Sequence, residues 1–357
     1  MKITSTTKLS SAILYAFLLF SCVLSAQIPD YYIDIDFTKQ GDALKSELST
    51  LISDTHTNLI PYTSSSTDTW DVIHESDADV DVQGNVVLIY GYNDSDGVTK
   101  NDRTRPIADQ SSGFCIGYWN REHVFAKNLA NPSLETSSAG PGTDVHNLRA
   151  ADCQMNSTRN NNLFKDGIGD SFLDGDFYPG DEFKGDVARI MMYMYLRYPT
   201  QCEPTNIGVG STSYSDNSDM PNIFLEWNEQ DPVSEFEINR NNVIASYQNN
   251  RNPFIDNPYL ATLIWNGPDA EDRWGVLSTS YSEYQEVFIH PTIPNDFIYI
   301  EGMQLSSDSV EVFNQLGQKL HVILDGNSID VSRFSKGLYL VSVTKGTQSN
   351  LFKFLVN

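Results

Sequence analysis

Two polar segments in the middle of the chain hold side chains that could do chemistry together. One is Tyr118-Trp-Asn-Arg-Glu-His-Val-Phe125, and the other runs over residues 144–160. Two of the six histidines of the chain, His123 and His146, lie in them. An imidazole beside a carboxylate can take a proton from water while the carboxylate holds a metal ion. Adjacent side chains of an extended segment point to opposite faces, so Glu122 and His123 can share a site only at a strand end or a bulge. Asn156 can add an amide oxygen. Carboxylate and amide oxygens are hard ligands, suited to Mg²⁺, Mn²⁺ or Ca²⁺ rather than zinc. One metal with few protein ligands beside an imidazole is an arrangement for cleaving phosphodiesters. A Glu-His pair alone is commonly surface decoration, so the weight lies in both segments occurring in order.

The elements that must position these residues can be read around them. The segment from Asp144 reads as a short strand running into a helix that carries Asn156. A helical patch is predicted over residues 43–52, and a strand over Asn85-Val-Val-Leu-Ile-Tyr90, closed by a turn of Gly, Asn and Asp. Residues 185–198 have helical period, with Val187, Ile190, Met191, Met194 and Tyr195 on one face as a core stripe. Asp186 sits in the first turn, where the helix dipole favours it. Helices are also predicted over 233–247, with Phe236, Val243, Ile244 and Tyr247 in register, and over 259–265 after Pro253 and Pro258.

After Trp274 the texture changes. Residues 275–296 are polar and proline-punctuated, as a linker is. From Phe297 to the end, short alternating runs at 298–300, 310–313, 320–323, 338–343 and 351–355 predict a small antiparallel β-sandwich. The fold class is therefore α+β: a mixed α/β domain over 27–274 and a small all-β domain over 297–357. Residues 1–26 read as a cleaved export signal, with Lys2 and Lys8 before an apolar run and Ser25-Ala26 after it. That run is too short to span a membrane, and no other stretch approaches ~18 apolar residues. Export permits disulfides; Cys115, Cys153 and Cys202 allow one bridge and one leftover thiol, with the pairing open. No Cys-x-x-Cys occurs, which argues against structural zinc.

The 357 residues include 18 Tyr, 18 Phe and 5 Trp, enough apolar material for a packed core, which excludes a disordered chain. The formal charge of −24 argues against a nucleic-acid partner if taken over the whole chain. Residues 100–165 are different. Lys or Arg at 100, 103, 105, 121, 127, 149, 159 and 165 face Asp or Glu at 102, 109, 122, 135, 144 and 152, a local balance of +2. Phosphate contact needs only a local basic patch.

Arg121-Glu122-His123-Val124, then Asp144-Val145-His146-Asn147-Leu148, then Asn156 ten residues after His146 and Arg159-Asn160 behind it, form one ordered set. That set resembles the bacterial endonuclease I family, exported nucleases built on a ββα-metal (His-Me) finger. The likeness extends over about residues 30–274, including Gly185-Asp-Val-Ala-Arg189, Glu226-Trp-Asn-Glu-Gln-Asp-Pro-Val233 and Asn250-Arg-Asn-Pro-Phe-Ile-Asp-Asn-Pro258. The resemblance implies that Glu122 and Asn156 hold one divalent ion (Mg²⁺, or Mn²⁺ or Ca²⁺) and that His123 is the general base. Asp144, His146 and Asn147 would brace the finger and orient His123, and Arg121, Lys127 and Arg159 would meet nucleic acid. The family's proline after the histidine is missing at Phe125 and Ala126. Lys127 is the only basic residue between His123 and Asp144, so the arginine that stabilises the transition state is taken to be Arg149, with Arg159 the alternative. The implied activity is metal-dependent, non-specific endonuclease cleavage of DNA and possibly RNA by a monomer, leaving 5′-phosphate and 3′-hydroxyl ends. The rival is a non-catalytic adhesin or nucleic-acid-binding protein on the same scaffold.

Residues 290–357 resemble the C-terminal sorting domain of the type IX secretion system. His290-Pro-Thr-Ile-Pro-Asn295, Val312-Phe-Asn-Gln-Leu-Gly-Gln318, Gly337-Leu-Tyr-Leu340 and the ending Lys353-Phe-Leu-Val-Asn357 carry the likeness. It implies that the secretion machinery is a partner and that the protein is released or held at the cell surface.

Overall fold

The computed structural model describes residues 28–276, 288–294, 296–301, 310–322, 324–345 and 348–356. The export signal at 1–26 and residues 277–287 of the expected linker lie outside them. The chain divides into two compact units, Met1–Thr279 and Ser280–Asn357. Among the described residues, no helix is long and apolar enough to cross a membrane.

The helices of the first unit are α1 (Gly41–Thr55), α2 (Thr69–Ser76), α3 (Cys153–Arg159), α4 (Lys184–Arg197), α5 (Asn222–Gln230), α6 (Glu235–Gln248), α7 (Pro253–Asp256) and α8 (Tyr259–Trp265). Three antiparallel pairs accompany them: β1 (Asn85–Val87) with β2 (Thr104–Pro106), β3 (Trp119–His123) with β4 (Leu148–Asp152), and β5 (Phe172–Asp174) with β6 (Asp176–Tyr178). Asp152 ends β4 and caps α3, accepting from the Met155 N–H at 2.9 Å. The strand predicted from Asp144 therefore does run into the helix that carries Asn156. The Cys115–Cys153 disulfide ties the loop before β3 to the first residue of α3, and Cys202 is a buried free thiol.

Helix α4 departs from its expected one-sided pattern. It is buried on all sides from Gly185 to Leu196 and packs against α1, α5 and α7. A helix at the centre of a bundle has no solvent face, so its Asp186 and Arg189 are neutralised internally, by Arg149 at 2.7 Å and Glu237 at 2.6 Å. Helix α6 is a second departure. Its buried stripe is Glu237, Arg240, Asn241, Ile244 and Gln248, mostly polar, instead of the apolar register predicted from Phe236, Val243 and Tyr247. The buried polar groups are matched by backbone and, for Glu237 and Arg240, by the charges of Arg189 and Asp77. Arg240 donates to the carbonyls of Val145 and Leu148 at 2.6 and 2.5 Å, and Gln248 accepts from the Val145 N–H at 2.7 Å. Helix α6 thus grips the chain that leads into β4. The strand predicted over 85–90 stops at Val87, because Leu88–Gly91 closes a turn with the Gly91 N–H 3.1 Å from the Leu88 carbonyl.

The second unit is two four-stranded antiparallel sheets. One sheet joins β9 (Val310–Phe313), β10 (Lys319–Leu320), β13 (Gly337–Lys345) and β14 (Gln348–Val356) in the order β10-β9-β13-β14. The other joins β7 (Phe288–His290), β8 (Phe297–Glu301), β11 (Leu324–Asp325) and β12 (Ser328–Asp330) in the order β11-β12-β8-β7. Ile298, Ile300 and Ile329 of one sheet share a core with Val312, Val341, Val343 and Phe354 of the other. This is the predicted sandwich. It begins earlier than expected, since β7 lies within the stretch read as linker and pairs His290 with Tyr299.

Candidate active site

His123 is the last residue of β3, so the face alternation that would separate it from Glu122 ends there. Both line one cleft of about 310 Å³, with Tyr62, Asn120, Arg121, Lys127, Asn156 and Arg159 also in its wall. Arg121, Lys127 and Arg159 give this lining three cations against the single carboxylate of Glu122.

Glu122 is buried, 3 % exposed. Its Oε1 accepts from the Tyr90 hydroxyl at 3.1 Å and lies 3.5 Å from Arg159 Nε. Burial pushes its pKa up to about 7, and the Arg159 charge and the Tyr90 hydrogen bond only partly offset that rise. Burial and the Glu122 charge raise the Tyr90 phenol well above its ordinary value, so it remains a donor. Asn156, on the inner part of α3, gives its Nδ2 to Asn120 Oδ1 at 2.9 Å, which leaves its amide oxygen as an acceptor.

The His123 ring stacks on Tyr62 with centroids 5.6 Å apart, and its Nε2 lies 2.8 Å from the Gly142 carbonyl. A carbonyl only accepts, so Nε2 carries the proton and Nδ1 holds the lone pair. Burial lowers the pKa of His123 to about 4, against the pull of the Gly142 hydrogen bond and with help from the charges of Lys127, Arg121 and Arg159. The imidazole is therefore neutral at physiological pH. A Cβ on Gly142 would lie 2.1 Å from the Glu135 carbonyl, so only glycine brings this backbone so close.

Asn147 clamps the chain after His123, accepting from the Phe125 N–H at 2.7 Å and donating to the Phe125 carbonyl at 3.2 Å. Asp144 is fully buried and accepts from Tyr193 and Tyr198 at 2.8 and 2.9 Å and from Gln248 at 3.0 Å. His146 packs on Tyr193 with centroids 4.4 Å apart, and burial drives its pKa down to about 3. Neither Asp144 nor His146 has a hydrogen bond to His123.

The arginines are placed differently from one another. The Arg121 guanidinium sits over the rings of Tyr62 and Trp70, 3.4 and 4.0 Å from their centroids, and donates to Thr69 and Thr63 at 2.8 and 3.1 Å. Arg149, taken from the sequence as the transition-state cation, is corrected. It faces Glu122 across the β3–β4 pair, yet its guanidinium turns away to Asp77 at 3.0 Å and Asp186 at 2.7 Å, is fully buried, and is absent from the cleft. Its charge is already neutralised. The alternative, Arg159, does line the cleft, held by the carbonyls of Val124 at 2.8 Å and Asn160 at 2.9 Å.

The local charge count from the sequence also needs revision. Arg105 and Arg149 are buried against Asp152 and Asp77, and Arg103 and Lys165 pair at the surface with Glu182 and Asp174. Three site residues escaped the sequence reading: Tyr62 under His123, Tyr90 on Glu122, and Gly142 on His123. Only Gly142 left a trace, in the tight run Gly140-Pro141-Gly142.

Residues 40–259 match the family model described as Endonuclease I, and residues 289–357 that of a secretion system C-terminal sorting domain. An extracellular ribonuclease of Bacillus amyloliquefaciens is 40% identical over 255 residues, covering 68% of this chain and 80% of the relative. An extracellular ribonuclease of Bacillus subtilis (strain 168) is 40% identical over 241 residues, covering 64% and 75%.

Proposed function

The chain belongs to the endonuclease I family, and from that premise we propose that it hydrolyses phosphodiester bonds of both DNA and RNA, with His123 as general base and one divalent ion on Glu122 and Asn156. As a nuclease with a sorting domain, it acts outside the cell or at its surface. The observation that carries the mechanism is the neutral His123, tied at Nε2 and free at Nδ1, in one cleft with a buried carboxylate.

Nδ1 of His123 takes the proton of a water as its oxygen attacks phosphorus. The P–O3′ bond breaks, leaving a 5′-phosphate on one fragment and a 3′-hydroxyl on the other, protonated from solvent. The water is the nucleophile, so no 2′-hydroxyl takes part and DNA is cut as readily in principle as RNA. RNA enters on equal terms because both relatives are named ribonucleases. Lys127, exposed at the cleft, meets the phosphate backbone, and Arg159 takes the transition-state role once assigned to Arg149.

The donor set suits a hard cation. A buried carboxylate with its pKa near 7 is short of positive charge, and Asn156 offers a neutral oxygen beside it. When bound, Mg²⁺ or Mn²⁺ offsets charge on the phosphate. Among the described residues no group of three or more His, Cys, Asp or Glu is arranged to hold a metal ion, so with Glu122 and Asn156 as ligands, water and substrate would complete the shell. The test is cleavage of supercoiled plasmid and of single-stranded RNA, with EDTA and with restored Mg²⁺ or Mn²⁺. Both substrates should be cut, EDTA should stop both reactions, and either metal should restore them. Full-rate cleavage in EDTA, or none of either substrate with metal, defeats the reading.

A further inference from the structure

Tyr90 occupies a position that a bulky side chain rarely takes. The turn Leu88–Gly91 is closed by the Gly91 N–H on the Leu88 carbonyl at 3.1 Å, and its third residue, Tyr90, has a φ of +73°. That left-handed position is ordinarily filled by glycine or asparagine, and an aromatic residue there is strained. Such a conformation persists only where its surroundings over-determine it, and it concentrates at functional sites.

The surroundings do over-determine it. The Tyr90 carbonyl accepts from Ser171 Oγ at 2.7 Å, and the Ile89 N–H before it is held by the Ala150 carbonyl of β4 at 2.8 Å. The next residue, Gly91, tolerates no side chain, since a Cβ would lie 2.0 Å from the Asp102 carbonyl. The ring is fully buried, edge-on to Phe177 with centroids 4.9 Å apart. All this fixes one polar atom, the hydroxyl, which donates to Glu122 Oε1 at 3.1 Å. Arg159 Nε approaches the same oxygen. Among the described residues Oε2 of Glu122 has no hydrogen-bond partner, so it is the oxygen left for a cation.

We propose that Tyr90 is a positioning residue whose hydroxyl, held by the strained turn, fixes the Glu122 carboxylate so that one oxygen is bound by protein and the other is presented to a divalent ion. The inference rests on Glu122 being a metal ligand. A carboxylate that rotates freely must be ordered when the ion arrives; one already tethered need not be. Groups that orient a metal ligand in this way are typically worth 10–100-fold in metal affinity.

The test is Mn²⁺ binding to the full chain without nucleic acid, followed by titration calorimetry and by loss of the free-ion paramagnetic resonance signal. Tyr90→Phe keeps the ring and removes only the hydroxyl. It should weaken Mn²⁺ binding by about 10-fold, while the metal-free protein unfolds at the wild-type temperature. Wild-type affinity in Tyr90→Phe overturns the inference, and so does an affinity loss that comes with an equal loss of metal-free stability. Glu122→Gln separates the two levels of the reading. If it loses Mn²⁺ while Tyr90→Phe keeps it, only the role of Tyr90 falls. If Glu122→Gln also binds as wild type, the ligand assignment itself is wrong.

Discussion

At the scale of single residues, the geometry of His123 suits the proposed base rather than a metal ligand. Its Nε2 is committed to the Gly142 carbonyl, and its low pKa keeps it neutral. Replacing it with alanine should lower the cleavage rate by roughly 10²–10⁴-fold and leave Mn²⁺ affinity unchanged in calorimetry. Near-wild-type rate, or lost metal, would show a different role. Arg149→Met should fail differently. It leaves Asp186 with only the more distant Arg189 at 4.0 Å, while Asp77 keeps Arg240 at 2.5 Å, and breaking a buried pair of this kind destabilises by about 3–5 kcal/mol. The loss should appear as a lower unfolding temperature, with specific activity of the folded protein largely kept. That Glu122, His123 and Asn156 meet in one cleft was legible because their types and spacing mark them as a set. Arg149 was misread because an arginine's sequence position does not reveal where a long side chain ends, and its partners Asp77 and Asp186 are remote in the chain. Tyr90 was illegible for a related reason: a φ of +73° on a tyrosine leaves no mark in a sequence that reads as a continuing strand.

At the scale of elements, the proposed base His123 depends on a turn that contributes no side chain. Residues Pro141–Thr143 form one 3₁₀ turn, and Gly142 presents its carbonyl to His123 from a place where a Cβ would collide with the Glu135 carbonyl. Gly142→Ala should push the turn off the ring and release Nε2. A displacement of the base by about 1 Å is enough for a loss of about 100-fold in rate, and Glu122 is untouched, so Mn²⁺ binding should persist. A fully active Gly142→Ala enzyme would show that the tautomer is held by something else. The helices themselves were readable where apolar period and burial coincide, as in α1, whose Leu44, Leu48 and Ile52 face the core. Helix α6 was predicted for the wrong reason. Its existence follows from the Ser234–Glu237 capping box, but its buried face is polar because it bonds to the backbone of residues 145–148 and to the charges of Arg189 and Asp77 rather than to a greasy layer. Periodicity of apolar residues cannot report a face whose partners are polar.

At the scale of the molecule, net charge and buried histidines pull stability in opposite directions as pH falls. Protonating carboxylates relieves the self-repulsion of a chain at −24. The buried histidines oppose this. His146 is held neutral down to about pH 3 when folded, against an ordinary value of 6.5, because burial disfavours its charged form. Between those values the unfolded chain binds the extra proton, so stability must fall as pH falls from 6.5 toward 3. His56 is lowered by burial too and adds in the same direction. For His146 each pH unit between 6.5 and 3 is worth about 1.4 kcal/mol, or about 2 kcal/mol between pH 7 and 5. The global charge effect obscures that slope in the wild type. It cancels when His146→Phe is compared with wild type at the same two pH values, since the surface carboxylates are common to both. Urea unfolding at pH 7 and pH 5 should show wild type losing about 2 kcal/mol more than the variant over that interval. Parallel behaviour of the two proteins would mean that His146 charges without penalty, and that the tight packing against Tyr193 opens at moderate acidity well before the rest of the fold.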